Sequence, residues 1–264
     1  MTFNLINLKS TDADVSESYW NDEEQEKNKV FNVEKFGFEK IEKVNKYNSL
    51  LSQVLDVIEK YDINIENKNI LSISSGTCYI ESRWLHDVPV NNISCIDLSK
   101  HRIHKLAPIT MSHYSVSTND RDIQLMYGSV FDFSPTKIKY DVIFMSQAFH
   151  HMEEPIRLLR KCRNLLSSDG VIIIVGEHYF NDYLYYKGAL KHFVKYIINH
   201  NGYRKWNKLF PGYQDIFKPS LEKGDIHYSL ADYDFIFKRS GYKNYFHDIH
   251  KSKLFQSFII FNKQ

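Results

Sequence analysis

Hydrophobic side chains are spaced in two different patterns along this chain. Between residues 33 and 61 they recur at steps of three and four residues, which predicts helical structure with one apolar face. From residue 69 onward, short runs rich in β-branched residues alternate with helical stretches. This alternation predicts crossover units, and therefore an α/β fold with a doubly wound, mostly parallel sheet and helices on both faces.

The pattern predicts seven strands. They cover residues 69–74, 92–97, 123–127, 140–146, 171–176, 242–247 and 254–261. The run at 171–176 is apolar throughout, as expected for a strand covered on both faces. The short link between the last two strands makes them antiparallel neighbours. The intervening helices are predicted over residues 78–86, 98–106, 153–167 and 229–239.

Composition narrows the class of protein. The formal net charge of +2 is too small for a strongly basic nucleic-acid binder. Three cysteines without a CxxC pair indicate a reducing compartment. The first residues show no basic region followed by an apolar leader, and apolar runs fall far short of the roughly 18 residues that span a bilayer. We therefore expect a soluble, cytoplasmic protein that binds neither nucleic acid nor membrane.

The chain shows no internal repeat, low-complexity tract or Pro/Gly-rich linker, so we predict a single domain over residues 1–264. Within it, residues 1–62 form an N-terminal extension and helix. The acidic part of that extension is either a solvated tail or a flap anchored by Tyr19 and Trp20.

A second segment, residues 180–223, interrupts the alternation and is predicted to be an inserted cap that recognises the substrate. It is rich in aromatic residues and carries eight Lys and Arg against three acids. Such a segment suits an acceptor with phosphate or carboxylate groups, or else forms a small core of its own with a solvated basic face.

The turn that follows the predicted strand at residues 69–74, here called the cradle, is suited to binding a cofactor. Small residues run from Ser72 to Thr77 where the strand opens into a helix, so backbone N–H groups at the helix start can approach a ligand. Asp97 ends the next strand about 20 residues after Gly76, a spacing that suits hydrogen bonds to a ribose diol. Together these two features favour an adenosine-type cofactor.

At these residues the chain resembles the class I S-adenosylmethionine (SAM)-dependent methyltransferases, and in particular their small-molecule members. The similarity rests on blocks in the family's order: residues 72–79, 95–99, 127–132, 140–155, 165–174 and 224–229. The resemblance implies a Rossmann-like fold and SAM as cofactor, with S-adenosylhomocysteine (SAH) as product. It also implies cofactor-binding roles for a set of strand-end residues: Ser74, Ser75, Gly76, Thr77, Asp97, Leu98, Ser129, Val130, Ser146 and Gln147.

The first glycine motif departs from the family pattern. Ser74 and Cys78 stand where the family has glycine, and Ser72 stands where it has an acid that lies near the methionine amino group of the cofactor. Glu81, one turn into the next helix, could supply the missing charge. Two outcomes stay open: SAM bound with altered contacts, or a catalytically silent domain that acts as a partner subunit.

Methyl transfer to a hydroxyl group requires removal of a proton, and candidate bases must lie at the carboxyl ends of the strands. Imidazole titrates near neutrality, which favours His151 or His178 as the base, with Glu177 as a further catalytic candidate. His150, His227 and Tyr228 are candidate substrate-binding residues.

We therefore expect an enzyme that O-methylates a small polar metabolite, such as a sugar, a nucleotide-linked sugar or a surface-polysaccharide precursor. N-methylation is the alternative chemistry. An NAD-dependent oxidoreductase is a third possibility, but the G-x-G-x-x-G pattern is absent. No metal is predicted, because the H-x-x-H pairs at 101–104 and 247–250 lack partners at ligand spacing. A monomer and a homodimer are equally compatible with the sequence.

Overall fold

The structure is a computed structural model that describes residues 3–8, 50–116, 122–135, 138–152, 154–179, 228–250 and 255–262. The predicted cap at 180–223, residues 33–49 of the predicted helical stretch, Tyr19, Trp20 and His227 lie outside the described residues.

The described strands form one eight-stranded sheet with the order β1-β4-β3-β2-β5-β6-β8-β7. Their bounds are β1 Asn4–Asn7, β2 Asn69–Ile73, β3 Asn92–Asp97, β4 Asp122–Tyr127, β5 Tyr140–Ser146, β6 Leu166–His178, β7 Tyr245–Ile249 and β8 Phe255–Phe261. Pairing is parallel from β1 across to β6, whereas β8 is antiparallel to both β6 and β7. The expected Rossmann-like, mostly parallel sheet is confirmed.

Helices in the described ranges connect these strands. They are α1 Leu50–Lys60, α2 Tyr79–Asp87, α3 Ala107–His113, α4 Pro155–Leu165 and α5 Leu230–Arg239. A π-helical turn at Arg102–Leu106 leads into α3, and a 3₁₀ turn at Phe149–His151 follows β5.

Two hydrophobic cores lie on opposite faces of the sheet. Consecutive strand residues point to opposite faces, so Ile70 contributes to one core and Leu71 to the other. The first core contains Val54 of α1 and Trp84 of α2, and the second contains Phe237 of α5. Helices therefore cover both faces, as the alternating pattern predicts.

The prediction of seven strands was wrong by one in the described part of the chain. The extra strand is β1, which pairs in parallel with β4 at the edge of the sheet. Its residues, Asn4–Asn7, are two asparagines around two apolar residues, too short to show a periodic pattern. These four residues lie within the predicted N-terminal extension and helix, residues 1–62.

Several boundaries differ from the prediction; β7, for example, begins at Tyr245 rather than at 242. The helix predicted over 98–106 continues to His113, because the π-helical turn passes directly into α3. Pro108 lies just after the π-helical turn, so the residue without an N–H lies where the hydrogen-bonding pattern of the continuous helix changes. In addition, β6 begins at Leu166 rather than at 171, with a shift in register against β5 between Leu166 and Val171.

Candidate cofactor and acceptor site

The carboxyl ends of the parallel strands β2 to β6 meet at one edge of the sheet, and the candidate residues gather there. The loop between β2 and α2 comes first. Ser74, Gly76 and Cys78 have φ values of 57°, 55° and 55°, all in the left-handed region. Ser74 and Cys78 therefore adopt a glycine-like backbone at a cost of roughly 1–2 kcal/mol each. All three positions therefore have a left-handed backbone, although serine and cysteine stand at two of them.

Asp97 connects this loop to the end of β3. Its carboxylate accepts hydrogen bonds from the backbone N–H groups of Gly76 at 2.7 Å and Ser99 at 2.8 Å. Burial raises the pKa of Asp97, and these two N–H donors act in the opposite direction. Each carboxylate oxygen keeps acceptor capacity beyond the one donor it receives from the backbone.

Ser72 and Glu81 form the second buried contact of the cradle. The Ser72 hydroxyl donates a hydrogen bond to Glu81 Oε1, and the Glu81 residue is only 3% exposed. Burial raises the pKa of Glu81 to about 7, and the neighbouring charge that contributes is a second acid, Asp97. A carboxyl group on α2 thus contacts the strand-end position where the sequence has lost its acid.

The end of β4 continues the same edge. Gly128 donates its backbone N–H to the carbonyl of Asp97 at 3.0 Å, and Ser129 Oγ accepts the N–H of Phe131 at 3.2 Å. A Cβ added to Gly128 would lie 2.7 Å from the Cβ of Leu8, directly after β1. Leu8 therefore packs beside the predicted adenine-facing residues, a contact that no sequence pattern indicated.

The end of β5 contributes Ser146 and Gln147. Gln147 has a φ of 49° and donates its N–H to the carbonyl of Val175 at 2.9 Å, which links the ends of β5 and β6. The Ser146 hydroxyl oxygen is buried, and the part of the chain that is described gives it no hydrogen-bond partner.

Glu177, near the end of β6, is fully buried and accepts four hydrogen bonds. Its Oε1 receives the Phe149 N–H at 3.1 Å. Its Oε2 receives the His150 N–H at 3.1 Å, His150 Nδ1 at 3.0 Å and the Tyr233 hydroxyl at 3.0 Å. The carboxylate joins the 3₁₀ turn after β5 to helix α5.

Three of the predicted histidines lie together at this point. The His150 ring centroid is 4.2 Å from that of His151 and 5.1 Å from that of His178. Tyr228 lies nearby, because its hydroxyl donates to the carbonyl of Met152 at 3.2 Å. The structure thus brings together the predicted catalytic residues and two of the three predicted substrate-binding residues.

Tyr233 belongs to this cluster and was missed by sequence reasoning. It is 1% exposed and packs on Phe149 and Phe258 with ring centroids 5.9 and 4.4 Å away. A capping box of Ser229 and Asp232 begins α5 one turn earlier and fixes the helix start. The sequence predicts this helix over residues 229–239, but it does not indicate which residue the Tyr233 hydroxyl contacts.

The described ranges hold neither a candidate metal cluster nor a candidate membrane span. There, His, Cys, Asp and Glu side chains form no group of three or more that could hold a metal ion. None of the described helices is long and apolar enough to cross a bilayer.

The central part of the chain is similar to one known family of domains. Residues 71–172 match the profile of a methyltransferase domain, a stretch that includes β2 to β5 and the start of β6. No curated protein sequence matches the chain.

Solved structures share the fold at low sequence identity. A protein of Nostoc punctiforme described as an O-methyltransferase is 16% identical with a TM-score of 0.53, covering 80% of this chain and 57% of its own. A SAM-dependent methyltransferase of Aquifex aeolicus is 13% identical with a TM-score of 0.55, covering 84% and 96%. Magnesium protoporphyrin IX methyltransferase of Synechocystis, solved with bound SAH, is 12% identical with a TM-score of 0.55, covering 94% and 98%. This chain spans little more than half of the Nostoc protein.

The fold is therefore that of the class I SAM-dependent methyltransferases. Residues 71–172 match the model of a methyltransferase domain and supply most of the parallel strands of this fold.

Proposed function

We propose that this chain is a SAM-dependent methyltransferase that methylates a hydroxyl group of a small polar metabolite. The observation that carries the proposal is the pair of buried carboxyl groups, Glu81 and Asp97, beside a loop that keeps its left-handed backbone. Two buried acids at one edge of a sheet suit a ligand that brings both a positive charge and hydroxyl groups.

The residues present fit SAM in three respects. An added Cβ at Gly76 would meet nothing within 4 Å, so the loop borders open space. Asp97 lies at the end of β3 with remaining acceptor capacity for a ribose diol. Glu81, bonded to the Ser72 hydroxyl, offers a carboxylate to an ammonium group in the buried region where that group's charge is least screened.

When bound, SAM supplies a methyl group on a positively charged sulfur. In the proposed site Ser74, Ser75, Gly76 and Thr77 surround its methionine part. Asp97 and Leu98 contact the ribose and the adenine, with Ser129 and Val130 at the adenine edge. Ser146 and Gln147, at and directly after the end of β5, would lie beneath the methionine part.

The acceptor is proposed to bind against the cluster of His150, His151 and His178. Polar rings at the end of β5 and β6 suit a hydroxylated molecule, because they can donate to and accept from its hydroxyl groups. One of these imidazoles removes the hydroxyl proton, and His151 and His178 are the candidates from the sequence. A sugar, a nucleotide-linked sugar or a surface-polysaccharide precursor is the proposed acceptor class.

A second candidate function is that of a silent methyltransferase-like domain that serves a partner protein. The observation in its favour is the loss of the strand-end acid at Ser72 together with the glycine replacements at Ser74 and Cys78. The domain would be catalytically inactive if the carboxyl group of Glu81 did not replace the missing acid at Ser72 in binding the cofactor.

The test is formation of SAH from SAM in the presence of matched acceptors. Hexose phosphates and nucleotide sugars are compared with the corresponding amino sugars, and mass spectrometry locates the added methyl group. Methylated oxygen in a hexose supports the proposal, whereas methylation only of the amino sugar indicates N-methylation. Failure to bind SAH, together with no methylated product from any acceptor, supports the silent domain.

A further inference from the structure

Both carboxylate oxygens of Glu177 accept hydrogen bonds. Two backbone N–H groups, one imidazole nitrogen and one tyrosine hydroxyl reach its two oxygens at 3.0–3.1 Å. A carboxylate is an acceptor only, so it satisfies all four donors at once. A residue held in this way is suited to orienting its neighbours rather than to exchanging protons with a substrate.

The bonds to His150 fix both its main chain and its ring. Glu177 Oε2 accepts the His150 backbone N–H and also Nδ1 of the ring. Because the carboxylate only accepts, the hydrogen of the neutral imidazole lies on Nδ1 and the lone pair lies on Nε2. The same arrangement orients the base in acid–His–nucleophile sites, where the carboxylate stabilises the imidazolium that forms.

Tyr233 holds the carboxylate from the other side. Its hydroxyl donates to the same oxygen that His150 uses, and its ring is anchored between Phe149 and Phe258. Burial raises the pKa of Tyr233 well above its ordinary value. The tyrosine therefore keeps its proton and remains a donor throughout the neutral range.

These groups lie where the strands of the sheet place a ligand. Ser146 on β5 pairs with Val175 on β6, so the turn that carries His150 follows β5 beside the last residues of β6, which include Glu177. His151 and His178 pack against the His150 ring. The ring is thus confined by its carboxylate and by its neighbours at the carboxyl edge of the sheet.

We propose that His150 is the general base of the reaction, with Glu177 and Tyr233 as positioning residues; this inference rests on the proposed function. The acceptor oxygen forms a bond to the methyl carbon while the carbon–sulfur bond breaks, and the sulfur keeps the bonding pair. The hydroxyl proton passes to Nε2 of His150 and from there to solvent. His150 thereby takes the role for which the sequence favoured His151 or His178.

The first test is ¹⁵N NMR of the imidazole rings in the full chain, with His150→Gln used to assign the His150 signal. A ring with hydrogen on Nδ1 at pH 8, kept in Tyr233→Phe, is the expected result. A ring with hydrogen on Nε2 would overturn the pairing with Glu177. This measurement needs no cofactor or acceptor.

The second test is kinetic and uses a hexose phosphate from the acceptor comparison. His150→Gln is expected to lower kcat by ~10²–10⁴ with an unchanged Kd for SAH, whereas His86→Gln, an exposed histidine on α2 outside the acceptor cluster, stays close to the wild type. A His150→Gln enzyme that keeps more than a tenth of kcat would overturn the assignment. A wild type that does not bind SAH contradicts the proposed function instead, and the tautomer measurement still decides the pairing.

Tyr233→Phe separates positioning from general structural support. It removes one donor from Glu177, so the carboxylate attracts the imidazole proton more strongly. The acidic limb of the kcat–pH profile is expected to move to higher pH while kcat at its plateau stays within tenfold. A lower plateau with an unmoved profile would show that Tyr233 supports only the fold.

Discussion

The Ser72 hydroxyl donates to the carboxyl group of Glu81, which lies nine residues later on the following helix. Serine at position 72 cannot carry a negative charge, but it can hold a carboxyl group that comes from elsewhere. The left-handed loop between the two residues keeps α2 close enough for this contact. The cradle therefore retains an acid although its strand has none at that position.

Replacing Glu81 by Gln should weaken SAH binding about 10–100-fold, because loss of a buried charge partner for an ammonium group costs about 1.5–3 kcal/mol. Calorimetric titration measures this directly. 5′-Methylthioadenosine, which lacks the amino-acid part, is the matched ligand and should bind the variant and the wild type alike. An equal loss for both ligands would show that Glu81 only shapes the loop.

Glu81 should also give stability a distinctive pH dependence. Its pKa rises from 4.5 in the unfolded chain to about 7 in the folded protein, so the folded state binds this proton more tightly. The contribution is fully present below pH 4.5 and is lost as the pH rises towards 7. Compared with Glu81→Gln, the wild type should therefore lose on the order of 3 kcal/mol of unfolding free energy across that window.

Urea unfolding of both proteins at pH 5 and pH 8 tests this expectation. The comparison with the isosteric amide removes the effects of the other titrating groups. A difference between the two proteins that does not change with pH would mean that Glu81 titrates as an exposed carboxyl group.

Gly128→Ala should destabilise the protein by about 1–3 kcal/mol, because the new methyl group would meet Leu8 at 2.7 Å. The backbone φ of 136° adds strain for any residue other than glycine. Gly76→Ala is the matched control: it also has a positive φ, but its Cβ meets open space. It should cost about 1–2 kcal/mol in stability, from backbone strain alone, while lowering SAH affinity.

Thermal unfolding compares the two glycine variants, and limited proteolysis of the N-terminal residues reports on β1. Equal destabilisation by both variants would indicate that the contact between Leu8 and Gly128 contributes little.

Asp97→Ala should abolish measurable adenosine-type binding, because it removes the acceptor for the ribose and also leaves the N–H groups of Gly76 and Ser99 without their partner. Asp97→Asn keeps one acceptor oxygen and should retain weak SAH binding. Fluorescence competition with SAH ranks the two variants. Identical affinities for both would contradict a ribose contact.

The sequence predicted the central parallel strands of the sheet, although the apolar run at 171–176 located only the second part of β6. The bounds of β3 and β5 agree with the prediction to the residue, since each is a short apolar run ended by a polar residue. The edge strand β1 was missed because its partner β4 lies more than a hundred residues away and its four residues show no alternation.

The sequence predicted which residues gather at the site better than it predicted the hydrogen bonds between them. Position at a strand end places Glu177 near His150, but the number of donors around a carboxylate depends on packing between β6, the turn after β5 and α5. Tyr233 reaches this point from helix α5, 56 residues further along the chain. Such contacts come from tertiary structure and leave no local pattern.

Calorimetric titration of the full chain with SAM and SAH, with NAD for comparison, tests whether this cradle binds SAM although two of its glycines and its strand-end acid are replaced. Micromolar binding of SAM and SAH, and none of NAD, is expected. No binding of SAM or SAH would rule out the proposed cofactor site and would favour the silent domain.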